Sequence, residues 1–290
     1  MIQQLSGLML VAALLFSTGT SSMGKEIKQV AQDAFEQPYL AVTPTKSNPG
    51  DVVLVKSNHS ATVSLFDHMY RLQPSAGEYV RFIPVPFNAK TGTHTIQTQD
   101  QKHSATLTIL PKEFKVDRLT VSQQLNSMRQ DTARIDADQK KINAARSKSA
   151  ETAYFTDKFL WPAEGRITTP YGYQRVVNGV PANRHAAIDI ANKTGTPIVA
   201  TNNGRVVLAD SLYLTGNTVI IDHGLQVFSI YAHMSKIQVK TGDEVKAGQQ
   251  IGQIGSTGFS TGPHLHFGML IGNTYVNPQP FLEASPFLWE

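Results

Sequence analysis

Cysteine is absent from all 290 residues. Its absence excludes a disulfide framework, a lipid-modified cysteine behind a leader, and thiolate ligation of a metal. Runs of like charge are missing as well, because 26 Lys and Arg are interspersed among 22 Asp and Glu, for a formal net charge of +4. Nothing in that pattern would track a phosphate backbone, so nucleic acid is not an expected partner. Long apolar runs are also lacking. The main one, Gly7 to Phe16, is about ten residues, too short to cross a bilayer, and small polar residues follow it to Ser22. This is the plan of a secretory signal peptide over residues 1–22, although no Lys or Arg precedes Lys25. The expectation is a cleaved leader, no integral membrane span in the mature chain, and a periplasmic or secreted location.

What is present is enough for two ordinary domains, since 41% of the residues are hydrophobic. Short β-branched segments at 51–56, 61–66, 79–83, 94–98 and 105–109 alternate with turn signals such as Asn48-Pro49-Gly50. They predict an antiparallel β-sandwich, immunoglobulin-like, over residues 38–111. Its histidines, His59, His68, His94 and His103, sit singly among polar residues and read as surface. Next, Val121, Leu125, Met128, Thr132, Ile135, Gln139 and Ile142 fall at steps of four and three. That spacing makes one stripe along a helix and predicts a helical linker over 115–150. A second domain follows over 155–284, with short strands separated by Asn202-Asn203-Gly204, Asp222-His223-Gly224 and Thr241-Gly242-Asp243. His223 reads as a hairpin-turn residue. The fold class is therefore mainly β: a sandwich, a helical spacer and an antiparallel β domain.

The chemistry gathers in that second domain. Gly262-Pro263-His264-Leu265-His266-Phe267 reads as a strand with both imidazoles on one face. They lie about 6.6 Å apart along the strand, so spacing alone does not decide which one reaches an ion. Upstream, His185 and Asp189 are four residues apart, about 13 Å on an ideal strand, so the chain must bend between them if they share a ligand. Ala186 and Ala187 are small enough to permit this. His233 ends the apolar segment Ser229-Ile230-Tyr231-Ala232-His233-Met234. Imidazoles with a carboxylate are a donor set that zinc takes in catalytic sites.

In that order and in Gly-rich β sequence, these motifs resemble the LytM/lysostaphin-type zinc metallopeptidases, which cut the cross-link peptides of peptidoglycan. The likeness extends to Gly165-Arg166-Ile167, Pro170-Tyr171-Gly172 and Gly255-Ser256-Thr257-Gly258. It implies His185, Asp189 and His266 as ligands of Zn²⁺, with His233 and His264 as catalytic residues. The implied reaction is attack of a zinc-activated water on a peptide carbonyl. One imidazole accepts and returns the proton while the other stabilises the oxyanion, and the sequence does not divide these roles. The implied partners are peptidoglycan cross-link peptides, and the protein is expected to act as a monomer. Direct meso-diaminopimelate cross-links are preferred over glycine bridges, because no wall-targeting domain is recognisable. Ala187 stands where the family usually has Gly, a departure that matters if the site needs positive φ. Tyr171 and Tyr173 are candidates for a phenol near the oxyanion, and Gly255 to Gly262 for a loop lining the cleft. Residues 38–150 are expected to modulate access and to supply no catalytic group. Two rival readings are a non-catalytic wall binder or activator on the same fold, and a swinging-arm carrier suggested by Val239 to Gln249. The carrier reading lacks a modifiable Lys in a recognised context.

Overall fold

Nine strands follow one another in the first part of the computed structural model, which describes residues 38–289; the leader expected over 1–22 lies outside them. These strands are β1 (Leu40–Thr43), β2 (Lys46–Ser47), β3 (Val52–Ser57), β4 (Thr62–Leu65), β5 (His68–Arg71), β6 (Gln73–Ser75), β7 (Glu78–Pro84), β8 (Gly92–Thr98) and β9 (Ser104–Ile109). They form two sheets, ordered β1-β3-β7-β6 and β2-β9-β8-β4-β5. Period-two alternation gives the first sheet two apolar faces. One face, with Val53, Val55 and Ile83, meets Val63, Ile96 and Leu107 of the second sheet. The other carries Val52, Leu54, Val80 and Phe82, and it is not solvated.

The segment expected to be one helical linker is a strand and two helices. β10 (Val116–Leu119) comes first, then α1 (Gln123–Met128) and α2 (Thr132–Ala145). The apolar stripe is interrupted because Ser122 and Asp131 each cap a new helix, accepting from the backbone N–H groups of Leu125 and Arg134. Within α2 only Ile142 is buried, and Thr132 and Gln139 weaken the rest of the stripe.

The second domain contains β11 (Arg166–Thr169), β12 (Gln174–Val177), β13 (Val180–Arg184), β14 (Ile188–Ala191), β15 (Pro197–Val199), β16 (Gly204–Leu212), β17 (Gly216–Asp222), β18 (Val227–Met234), β19 (Lys236–Ile237), β20 (Glu244–Val245), β21 (Gln250–Gln253), β22 (His264–Ile271) and β23 (Thr274–Val276), followed by α3 (Gln279–Glu283). Its main sheet runs β11-β14-β22-β18-β17-β16-β20, with β23 on β22, and every pairing is antiparallel. β18 and β22 lie at its centre, with β18 buried throughout. One face of this sheet packs through Leu265, Phe267, Met269 and Tyr231 into the main core. The other face carries Phe228, Ile230 and Leu270 under Ile142 of α2.

The main core crosses the domain boundary. Phe82 of the sandwich is fully buried, with ring centroids 5.9–6.1 Å from Phe155, Phe281, Phe287 and Trp289. Polar contacts flank it: Lys56 Nζ donates to the Phe287 carbonyl at 2.7 Å, and Asn277 Nδ2 to Asp51 Oδ1 at 2.9 Å. β10 extends the junction by pairing in parallel with β12. Among the described residues no helix is long and apolar enough to cross a membrane.

Candidate metal centre and cleft

β14 and β22 are antiparallel neighbours with Asp189 directly opposite His266 and Ala191 opposite His264. Directly opposed residues share a face, so Asp189, His264 and His266 all point to one side of the sheet. His185 precedes β14 in a bend through Ala187, which shortens the distance that an extended chain would impose. Ala187 is fully buried and its φ is not among the positive values in the described chain, so the methyl group causes no left-handed strain. Three donor atoms then converge. His185 Nε2 is 3.0 Å from Asp189 Oδ1, His266 Nδ1 is 2.9 Å from the same oxygen, and the two nitrogens are 3.2 Å apart.

These edges fit a metal. Zinc with donors at about 2.0–2.1 Å in a tetrahedron separates them by about 3.3 Å. The tautomers agree with this. His185 Nδ1 lies 3.1 Å from the Pro170 carbonyl, which only accepts, so Nδ1 carries the hydrogen and Nε2 presents a lone pair. His266 directs Nδ1 inward, where its Nε2–H tautomer offers a second lone pair, and Asp189 Oδ1 offers a third. In those tautomers three acceptors face one another, an arrangement that a cation among them stabilises. Burial and the neighbouring charge decide the protonation states. Burial pushes His266 down to about 4 against the pull of Asp189, leaving a neutral ring at pH 7.

His233 reaches the same side by an irregularity. Ala232 is opposite His266 on the site face, so regular alternation would send His233 to the core face with Tyr231. Between Asn217 and Val219 the β17–β18 register shifts, giving β18 an extra residue, and His233 takes φ +62°. This β-bulge turns the imidazole toward the cleft, 4.8 Å between ring centroids from His264 and 5.7 Å from His266. His233 Nδ1 donates to the Thr257 carbonyl at 2.8 Å, and His264 Nδ1 to the Gly262 carbonyl at 2.8 Å. In the neutral form of either ring the lone pair is therefore on Nε2; Nε2 of His264 is 3.7 Å from Asp189 Oδ1. Burial, followed by the charges of His266 and His264, pushes His233 down to about 3.

The five residues expected from sequence are thus brought into one place, beside a cavity of about 310 Å³. The loop through Phe259 and Ser260 forms one wall. It crosses the β16–β17 hairpin at Gly258, where φ is +72° and a Cβ would strike the backbone of Leu214 and Gly216. The candidate phenols do not join the site. Tyr171 is buried, donates to the Tyr275 carbonyl at 3.0 Å, and stacks on Phe87 of the sandwich. Tyr173 holds the site only through its backbone carbonyl, which accepts from His185 N at 2.8 Å. His223 lies in the β17–β18 hairpin, as expected, but its ring is fully buried, with Nδ1 2.7 Å from the Asn203 carbonyl and Nε2 2.7 Å from Ser229 Oγ. Two contributors were not foreseen. Arg175 donates to Asp189 Oδ2 at 3.0 Å, and Leu119 of β10 lines the cavity. Leu119 carries no sequence signal, because a four-residue strand just ahead of a helix-like stripe is too short to show a period of its own.

Comparison with known proteins agrees with this geometry. Residues 183–278 match the model of peptidase family M23. Glycyl-glycine endopeptidase ALE-1 of Staphylococcus capitis is 39% identical over 123 residues, covering 40% of this chain and 34% of ALE-1. Murein hydrolase activator NlpD of Salmonella dublin is 36% identical over 152 residues, covering 52% of this chain and 38% of NlpD. The chain thus spans little more than a third of either relative's length. A solved structure from Pseudomonas aeruginosa described as an M23 peptidase superposes with a TM-score of 0.60 at 23% identity, covering 81% of this chain and 93% of its own. That likeness concerns the fold, and it reaches well beyond the matched domain. By its matched sequence, the carboxy-terminal part of this chain carries, over residues 183–278, a domain of peptidase family M23, of the LytM type.

Proposed function

We propose that this chain is a zinc-dependent endopeptidase that hydrolyses peptide cross-links of peptidoglycan during cell-wall remodelling, acting as a monomer in the periplasm or outside the cell. The observation carrying this reading is the convergence of His185 Nε2, Asp189 Oδ1 and His266 Nδ1 at 2.9–3.2 Å, with two further imidazoles beside them. Three donors are the number a catalytic zinc site uses, leaving the fourth position for water. When bound, the ion supplies an acidified water and a Lewis acid for the scissile carbonyl.

The protein's own groups do the rest. A peptide lying along the 259–264 loop brings its carbonyl beside His233 and His264. A neutral Nε2 of either ring accepts a proton from the attacking water, and the protonated ring donates to the developing oxyanion or the leaving amine. Desolvation of His233 keeps it an acceptor before the reaction begins. The Thr257 and Gly262 carbonyls fix both rings, so no reorientation accompanies proton transfer.

A non-catalytic activator role has the NlpD relative in its favour, and the three converging donors with the His233 and His264 rings beside them stand against it. The two readings separate in one experiment. Zinc-loaded full-length protein is incubated with purified sacculi carrying direct or glycine-bridged cross-links, and released muropeptides are identified by mass spectrometry. New peptide ends that disappear with chelator are expected. A folded, zinc-loaded protein that releases none from either wall refutes the enzyme.

A further inference from the structure

Two charged residues outside the matched span 183–278 lead from the interdomain strand into the metal centre. Arg175 on β12 donates from Nη2 to Asp189 Oδ2 at 3.0 Å. Asp117 on β10 sits beside it, Oδ2 3.7 Å from Arg175 Nε, and the two are partners in the parallel β10–β12 ladder. Backbone register therefore holds acid and guanidinium together. Both Arg175 Nε and Asp117 Oδ2 are buried without a hydrogen-bond partner. An unmet donor facing an unmet acceptor is a contact that a small closing movement of β10 completes.

The chemistry of Asp189 explains why this matters. Its Oδ1 faces His185 and His266, while its Oδ2 is occupied by Arg175. That bond stops the carboxylate from rotating and selects one oxygen for the ion. A guanidinium so near a divalent cation would by itself oppose metal binding. Asp117 offsets that charge and holds the guanidinium in its orientation.

We propose that Asp117 and Arg175 form a positioning relay that sets the metal affinity of the site, making the strand before the peptidase domain a working part of the metal centre. The inference rests on the metal-site reading above. Its test uses the full chain, stripped with chelator and titrated with Zn²⁺ against a chromogenic competitor. The variants are Asp117→Asn, Arg175→Gln and the pair, with urea unfolding of each metal-free form alongside. Partners of metal ligands typically contribute about 10- to 100-fold in affinity, so each single variant is expected to bind zinc at least about tenfold more weakly. Metal-free unfolding midpoints should stay together, because Asp117→Asn is isosteric and lies on an edge strand. The double variant should bind no more weakly than Arg175→Gln alone, since Asp117 acts through Arg175. Unchanged affinity in Asp117→Asn, additive losses in the pair, or a loss that tracks the unfolding midpoint each overturns the relay. A wild-type chain that binds no zinc overturns the metal site itself and the relay with it, so the two failures are distinguishable.

Discussion

Replacing His266 and His264 separately tests the site at its most discriminating point, because the two rings share a strand face and differ only in what they oppose. His266 faces Asp189 across the β14–β22 ladder, and its Nδ1 lies within 3.2 Å of both other donors. His264 faces Ala191, and its Nε2 stops 3.7 Å from Asp189 Oδ1. His266→Ala leaves two protein donors where three are needed, so zinc content measured after dialysis should fall from one per chain to near zero and hydrolysis should vanish with it. His264→Ala leaves all three donors in place. Zinc should stay near one per chain while turnover falls about 10²- to 10⁴-fold, which is about 3–5 kcal/mol of transition-state stabilisation. Metal analysis by atomic absorption, paired with muropeptide release on the same samples, reads both quantities. Equal zinc loss in the two variants, both folded, would refute the division into ligand and catalytic imidazole.

The bulge at His233 predicts that His233→Gly is more stable than His233→Ala by about 1 kcal/mol in urea unfolding, since both lose the imidazole and only Ala keeps the left-handed strain at φ +62°. The buried ring of Phe82 predicts a loss of about 3–5 kcal/mol on Phe82→Ala, seen as an earlier unfolding midpoint with one transition still shared by both domains. His223 predicts a pH dependence: burial lowers its folded pKa to about 4, against about 6.5 unfolded, so the unfolded state binds the extra proton between these values. Its contribution to stability is complete above pH 6.5 and declines by up to about 1.4 kcal/mol per pH unit as pH falls toward 4. A flat stability profile across that window, measured on metal-free protein, would contradict it.

Part of the cluster was legible because its signal is local, while the division of His264 and His266 into ligand and neighbour came only from the resemblance. His264 and His266 announce a shared face by parity, and the His185–Asp189 spacing demands a bend that the structure supplies at Ala187. What escaped the sequence depends on partners far along the chain. His233 was expected at the site from the resemblance, but what turns its ring there, the register shift against β17, has no local signal. Tyr171 carries a hydroxyl that suits chemistry, yet its ring belongs to the stack with Phe87. The stripe from Val121 to Ile142 has helical spacing, but caps at Ser122 and Asp131 divide it, and pairing with β12 claims the residues just before it. His223 follows a turn pattern while its ring fills the interior beside Phe159.

Phe82 and its four aromatic neighbours also bear on how such a protein can be recombined. The M23 domain moved onto another neighbour would expose the faces of Phe155, Phe281, Phe287 and Trp289 that the sandwich now covers, and an apolar patch of that kind promotes aggregation. The sandwich is therefore not an interchangeable attachment. A functional chimaera has to carry the β3–β7 surface with it, or replace the plug by an equally large side chain from the new neighbour.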